Sequence, residues 1–323
     1  MNKSNDELMM ETMYWWGIPT LFRCHHQTDP SKCDIALVGV PHSTGNGTTE
    51  RDQHLGPRAV RHVSAGLRRV HLDFNINPWE KKIIHDLGDV PLPEANNNEK
   101  CIENITKYYE KIALAKKNVV SIGGDHSITG GILQGLSYNN LSLTDGKKIS
   151  FLHIDAHTDT YNQLDHFLGA KKSAAHWGSY LVKDGIIDPY SSMQIGMRGN
   201  PRTLDWLKPS YELGYNVVTM EEFRKRGMEN VIKETLEKLG DNPIYITFDL
   251  DSLDASVAPA VSNLEPSFKG FSIDEAKSLI QCVKNKNVIG GDVVCLMPTK
   301  DSPNNITAMV AASIMFEIIS VIC

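Results

Sequence analysis

Residues 149–161 read Ile-Ser-Phe-Leu-His-Ile-Asp-Ala-His-Thr-Asp-Thr-Tyr. An apolar run leads straight into Asp155, His157 and Asp159. On an extended chain, side chains at alternate positions leave the same face. An apolar core does not accept three such groups side by side, because unpaired buried charge is costly. A divalent cation does accept them. Residues 244–251, Ile-Tyr-Ile-Thr-Phe-Asp-Leu-Asp, end the same way with Asp249 and Asp251. A third segment, residues 119–127, runs Val-Val-Ser-Ile-Gly-Gly-Asp-His-Ser and places His126 where a strand turns into a helix. The inventory is four aspartates (155, 159, 249, 251) and two histidines (126, 157). Oxygen-rich ligation with some imidazole suits manganese, or nickel, cobalt or iron, whereas zinc favours more nitrogen and sulfur. Four carboxylates balance two divalent cations, and a water between such cations loses a proton near neutral pH. His153 shares the strand parity of Asp155 but lies deeper. It reads as a histidine that packs behind the ligands and orients them.

The elements that must position these groups alternate. Short β-branched runs fall at 35–40, 82–85, 118–122, 149–154, 193–197, 216–219, 244–248 and 288–294. Helical periodicity fills 57–70, 102–116, 127–136, 228–239, 273–284 and 305–319. Strand and helix in alternation predict an α/β fold with a mostly parallel sheet, covered on both faces. Polar or Gly-rich loops follow several strands at 41–53, 123–127, 156–175 and 251–270. In an open parallel sheet the ligand site lies at those carboxyl ends, where every candidate ligand falls. No repeat or linker divides the 323 residues, so one domain, 1–323, is expected. Its first part, 1–33, is an aromatic extension: Met-Tyr-Trp-Trp-Gly-Ile-Pro-Thr-Leu-Phe-Arg at 13–23 predicts packing on a neighbouring subunit.

Bulk composition excludes several classes. A net charge of -6 with interspersed signs offers no basic stripe for nucleic acid. The apolar stretches at 35–40 and 308–322 are too short or interrupted to span a bilayer. The polar amino terminus has no secretory pattern, so a cytoplasmic location is expected. The six cysteines form no Cys-x-x-Cys pair, which argues against a zinc knuckle or a redox motif.

Taken together, these segments resemble the ureohydrolase family of arginase, agmatinase and guanidinobutyrase. Asp86-Leu87-Gly88-Asp89 resembles the family's Asp-x-Gly-Asp element. Gly123-Gly124-Asp125-His126-Ser127, Asp155-Ala156-His157-Thr158-Asp159 and Phe248-Asp249-Leu250-Asp251-Ser252 are similar to its three metal signatures. The resemblance implies a three-layer α/β/α fold on an eight-stranded mostly parallel sheet, in trimers or hexamers, homo- or hetero-oligomeric. It implies two divalent ions, Mn2+ or Ni2+, and hydrolysis of a guanidine compound to urea and an amine or ammonia. By position, His126, Asp155, Asp159 and Asp249 would hold one ion, and Asp155, His157, Asp249 and Asp251 the other. Asp159 or Asp251 would accept the proton of the attacking water.

Departures from the pattern bear on the substrate. The family's glutamate, which pairs with the guanidinium, is replaced by Cys295 in Val294-Cys295-Leu296-Met297-Pro298. A thiol supplies no such ion pair unless ionised. Recognition then comes from elsewhere, with Glu265 the candidate, or Cys295 is a core residue, or the site belongs to a silent partner subunit. The resemblance also implies a proton-shuttling histidine after the 161–175 segment, for which His176 is the nearest match and His166 the alternative. A small pocket bordered by Cys295, Met297 and Trp177 would suit guanidine, an alkylguanidine or a biguanide, with agmatinase or guanidinobutyrase activity as the alternative.

Overall fold

The computed structural model describes residues 17–47, 51–162, 169–266 and 269–323. Its eight strands are β1 (Ile35–Gly39), β2 (Ile84–Asp89), β3 (Asn118–Ile122), β4 (Ser150–Ile154), β5 (Met193–Met197), β6 (Asn216–Thr219), β7 (Ile244–Asp249) and β8 (Val288–Val294). They form one sheet in the order β2-β1-β3-β8-β7-β4-β5-β6, and every neighbouring pair is parallel. Among the helices, α1 (Gly56–Ser64), α2 (Asn98–Leu114), α3 (Ser127–Leu136), α4 (Trp177–Lys183), α5 (Met228–Leu239), α6 (Ile273–Gln281) and α7 (Ile306–Ile322) cover its two faces.

Strand parity decides which side chain joins which layer. Leu37, Leu152, Ile154, Ile246 and Phe248 pack with α1, α5, α6 and α7. Ala36, Val38, Val119, Phe151 and Tyr245 point the other way, into α2, α3 and α4. Burial on both sides explains why the central strands are nearly continuous apolar runs. The three-layer α/β/α architecture is as the resemblance implied. Although α7 is the most apolar helix, it lies against β8 between α1 and α6. No helix of the described residues is long and apolar enough to cross a membrane.

One row of the sheet breaks the apolar rule. In register across five strands stand Ser121 (β3), Asp292 (β8), Thr247 (β7), His153 (β4) and Gln194 (β5). All are fully buried and share the face of Val119, Tyr245 and Phe151. This polar row runs just beneath the carboxyl ends of the strands.

Two expectations need correcting. The second strand begins at Ile84 and runs through Asp89, not 82–85. The Asp-Leu-Gly-Asp stretch belongs to the strand, with Asp86 and Asp89 paired with Leu37 and Gly39. Asp86 is nevertheless buried, because its carboxylate takes the Arg61 guanidinium at 2.9 and 3.0 Å and the Leu21 and Gly88 amides. The aromatic extension divides. Residues 13–16 lie outside the described residues, but Leu21 and Phe22 are buried in this chain's own core. Phe22 packs on Trp79 and Phe316, with ring centroids 5.7 and 6.4 Å away.

Candidate active site

The four central strands β3, β8, β7 and β4 end side by side and feed one place. Beyond β3 the chain makes a turn that only glycine fits. A Cβ on Gly124 would lie 1.9 Å from the carbonyl oxygen of His42. The Asp125 carboxylate then accepts the amides of Ser127 and Gly45 at 2.9 and 2.8 Å, tying the loop after β1 to the start of α3. His126 therefore stands at the head of α3 with its ring aimed across the sheet. Beyond β4, Asp155 Oδ1 accepts the His157 amide at 2.7 Å, which curls the chain so that His157 and Asp159 stay beside it. Asp159 has φ 51, a left-handed conformation that aspartate tolerates better than most residues. Beyond β7, Asp249 accepts the Asp251 amide at 2.9 Å. Arg198 fastens that turn by donating to the carbonyls of Asp251, Ser252 and Leu253.

The result is a convergence of ligand atoms. His126 Nδ1 lies 2.9 Å from Asp155 Oδ2, 3.0 Å from Asp159 Oδ2 and 3.2 Å from Asp249 Oδ2. The atom is buried yet has no hydrogen-bond partner. His157 Nδ1 lies 3.1 Å from Asp251 Oδ2 and 3.5 Å from Asp155 Oδ1. Asp155 thus turns one oxygen to each imidazole. These sets fit divalent cations: a buried ring nitrogen without a partner, ringed by carboxylate oxygens, is what a metal position offers. All six sequence-derived ligands fall within this constellation, and Asp249 is placed beside His126.

The electrostatics point the same way. Burial pushes His126 and His157 toward the neutral form, but their carboxylate neighbours outweigh it and hold both well above the ordinary histidine range. Asp249 and Asp251 are raised, first by burial and then by the carboxylates of Asp155 and Asp249 respectively. Too many acids share too little positive charge, an imbalance that bound divalent cations would correct.

His153 is held away from ligation. Gln194 Nε2 donates to the Thr158 carbonyl at 2.7 Å and to His153 Nδ1 at 3.1 Å, so the His153 proton is on Nε2. That proton goes to Asp155 Oδ2 at 2.7 Å. His153 orients Asp155, as its deeper position implied.

A cavity of about 370 Å³ opens over the constellation. Cys295 and Glu265 line it, as do Asn46, Tyr161, Arg202 and Asn263. The Cys295 thiol is pushed well above its ordinary value by burial and then by Asp249 and Asp251, so it stays neutral and cannot pair with a guanidinium. Glu265 Oε1 lies 3.4 Å from His157 Nε2.

Three assignments fail on geometry. Trp177 is fully buried and is not part of this cavity's lining; it packs under His126, with centroids 5.0 Å apart, and donates from Nε1 to Asp159 Oδ2 at 3.0 Å. Met297 is buried and absent from the lining, which passes through Cys295 instead. His176 is buried, with Nδ1 at 2.6 Å from Ser173 Oγ. Its neighbours Ala174 and Ala175 reach the cavity and it does not, so it fastens the loop and lacks the exposure that a proton shuttle needs. His166 lies outside the described residues. The pocket is partly apolar, and Asn46, Arg202, Asn263 and Glu265 stand among its lining in place of Met297 and Trp177.

Sequence reading missed Arg202, Asn46 and Tyr161, which come from loops with no local signal. It also missed Asp292. Tyr245, Thr247 and Thr129 all donate hydroxyl hydrogen bonds to this buried carboxylate, at 2.9, 2.6 and 2.9 Å. A charge in mid-strand inside an apolar run was the available clue.

Comparison with known proteins agrees with this geometry. Residues 33–320 match the family model of the arginase family. Mitochondrial guanidino acid hydrolase of Homo sapiens is 33% identical over 303 residues, covering 94% of this chain and 82% of its own length. Guanidinopropionase of Pseudomonas aeruginosa is 32% identical over 305 residues, covering 94% of this chain and 91% of its own length. Among solved structures, proclavaminate amidino hydrolase from Streptomyces clavuligerus superposes with a TM-score of 0.85 at 28% identity, covering 96% of this chain and 98% of that one. The chain belongs to the arginase family and is a hydrolase of carbon–nitrogen bonds in guanidino compounds.

Proposed function

We propose that this chain is a binuclear metal-dependent hydrolase whose substrate is guanidine, an alkylguanidine or a biguanide, releasing urea and an amine or ammonia. The observation that carries the proposal is the pair of imidazole Nδ1 atoms aimed into carboxylates, with Asp155 shared between them. One ion, Mn2+ or Ni2+, falls to His126, Asp155, Asp159 and Asp249, and its partner to Asp155, His157, Asp249 and Asp251. Divalent ions held by these residues would supply Lewis acidity and would ease the loss of a proton from water. Asp159 lines the cavity, which supports its role in this reading as the acceptor of the attacking water's proton. Glu265 supplies the carboxylate for the guanidinium that Cys295 does not.

The lining supports the small-substrate reading. Apart from the ligand cluster, Glu265 is the acid among the described lining residues, and it is engaged with His157. A cationic tail, as in agmatine, would meet Arg202 without a counter-charge. One observation favours a second reading: Arg202 could pair with the carboxylate of an ω-guanidino acid, and curated relatives carry the names guanidino acid hydrolase and guanidinopropionase. As part of the same proposal, residues 1–323 are one domain that assembles as a trimer or hexamer, which light scattering would check.

The test is urea release by the purified protein alone, loaded with Mn2+ or Ni2+. Substrates would be guanidine, methylguanidine, biguanide, 3-guanidinopropionate, 4-guanidinobutyrate and agmatine. Dominant activity on guanidine or methylguanidine supports the proposal. Dominant activity on agmatine overturns it, and activity on the guanidino acids that Arg202→Ala abolishes selects the second reading. No urea from any of them, with metal bound, points to a non-catalytic partner subunit.

A further inference from the structure

His126 must present an unprotonated Nδ1 to serve a cation, so its proton must sit on Nε2. What holds it there is legible in the polar row. Nε2 lies 2.8 Å from Thr247 Oγ1. A threonine hydroxyl has one hydrogen to give. Thr247 spends it on Asp292 Oδ1 at 2.6 Å. Its oxygen is then left only to accept, and the one hydrogen available to it from His126 is on Nε2. Asp292 in turn cannot release Thr247. Its other oxygen accepts from Thr129 and Tyr245, both at 2.9 Å, and all four partners of this chain are buried beyond the reach of water.

We infer that Asp292 is a positioning residue: through Thr247 it fixes which nitrogen of His126 is free, and so determines whether the first metal position exists. The inference rests on the metal-dependent reading proposed above. Asp292 touches neither ligand atoms nor the cavity. It acts as a fixed acceptor at the far end of two hydrogen bonds, where a carboxylate differs from its own amide in one respect that matters. In Asp292→Asn the amide must replace an oxygen with a donor. The side that faces two hydroxyls keeps the oxygen, so the NH2 is driven toward Thr247. Thr247 then accepts from Asn and turns its hydrogen to His126 Nε2. The ring answers by carrying its proton on Nδ1, in the centre of the ligand set, where it competes with the cation.

The experiment is stepwise metal binding by equilibrium dialysis against buffered Mn2+, with metal counted by mass spectrometry, on wild type, Asp292→Asn, Thr247→Val and Thr247→Ser. Unfolding midpoints of each protein stripped by chelator are recorded alongside. The expected result is that wild type binds two ions, whereas Asp292→Asn and Thr247→Val keep one and bind the other roughly 10- to 100-fold more weakly. Thr247→Ser retains the relay and binds as wild type does. The inference is overturned if Asp292→Asn binds both ions within about threefold of wild type, if Thr247→Ser is as damaged as Thr247→Val, or if both ions are lost in step with a falling unfolding midpoint. Absence of metal from wild type itself would instead sink the underlying reading. Should Asp292→Asn fail to fold, the Thr247 pair decides alone.

Discussion

Replacing Glu265 by glutamine tests where guanidinium recognition has gone. The Glu265 side chain is 22% exposed and its carboxylate lies 3.4 Å from His157 Nε2. It is also packed on bare backbone: a Cβ on Gly199, which has φ 101, would lie 2.6 Å from that carboxyl group. The group is therefore held in the cavity wall and does not swing freely. A full charge pair at about 4 Å in an effective dielectric of about 20 is worth roughly 4 kcal/mol. Partial exposure discounts this, and a hydrogen bond to a charged partner is worth about 1.5–3 kcal/mol net. At about 1.4 kcal/mol per factor of ten, Glu265→Gln should raise KM roughly 10- to 150-fold. Its amide oxygen can still accept from His157 Nε2, so metal content should hold. The assay is steady-state urea release with parallel metal analysis. Two results refute the reasoning: a KM within about twofold of wild type, or a loss of metal that shows Glu265 serving His157 and not the substrate.

Asp249→Asn removes a carboxylate that faces His126 Nδ1 at 3.2 Å; urea release and bound metal should vanish together, and an inactive variant with full metal would contradict its place in the cluster. Asp86→Asn breaks a buried pair with Arg61 and strands donors that the carboxylate satisfied, which costs about 3–5 kcal/mol. At about 2.1 cal/mol/K per residue the unfolding midpoint should fall by roughly 4–7 °C. The Asp86 pKa is lowered: burial opposes ionisation, but Arg61 and the Leu21 and Gly88 amides outweigh it. Its contribution is therefore complete above the unfolded value near 3.8 and is lost as pH falls through the lower folded value, so the gap between wild type and variant should close only below about pH 4. Cys295→Glu places a second acid in the cavity wall and should move kcat/KM toward agmatine relative to guanidine by about tenfold or more; an unchanged ratio would mark Cys295 as a packing residue.

The convergence of the cluster was legible because its chemistry is local: Asp155, His157 and Asp159 announce themselves at alternate positions of one strand end, and His126, Asp249 and Asp251 repeat the signal. The sheet was legible because doubly buried strands leave little besides β-branched and apolar residues. Reading failed where a side chain's direction depends on packing. Met297 and Trp177 adjoin site residues in sequence, but one turns into the core and the other slides beneath His126 to bond Asp159. His176 is the nearest match, in imperfect register, to the histidine that the family resemblance implies, yet its ring is buried against Ser173. Sequence alone ends the second strand at residue 85, short of Asp86, because the partners that let this carboxylate be buried, Arg61 and the Leu21 amide, lie 25 and 65 residues away. Arg202 and Asn46 reach the cavity only because distant loops meet over it. Asp292 needed the pairing of β7 with β8 before its hydroxyl partners could be found.

The buried row of Ser121, Asp292, Thr247, His153 and Gln194 has a consequence for assembly. Parallel strands with apolar residues on both sides tolerate sliding poorly at the best of times, since a one-step slip exchanges the faces. Here such a slip would also carry a charge, an imidazole or an amide into the opposite oily layer and strip its neighbours of partners on either flank. The row acts as a set of teeth that mesh in one frame only. The chain thus checks its strand alignment with the same atoms that later aim its catalytic ligands, and a mispaired sheet is also a dead enzyme.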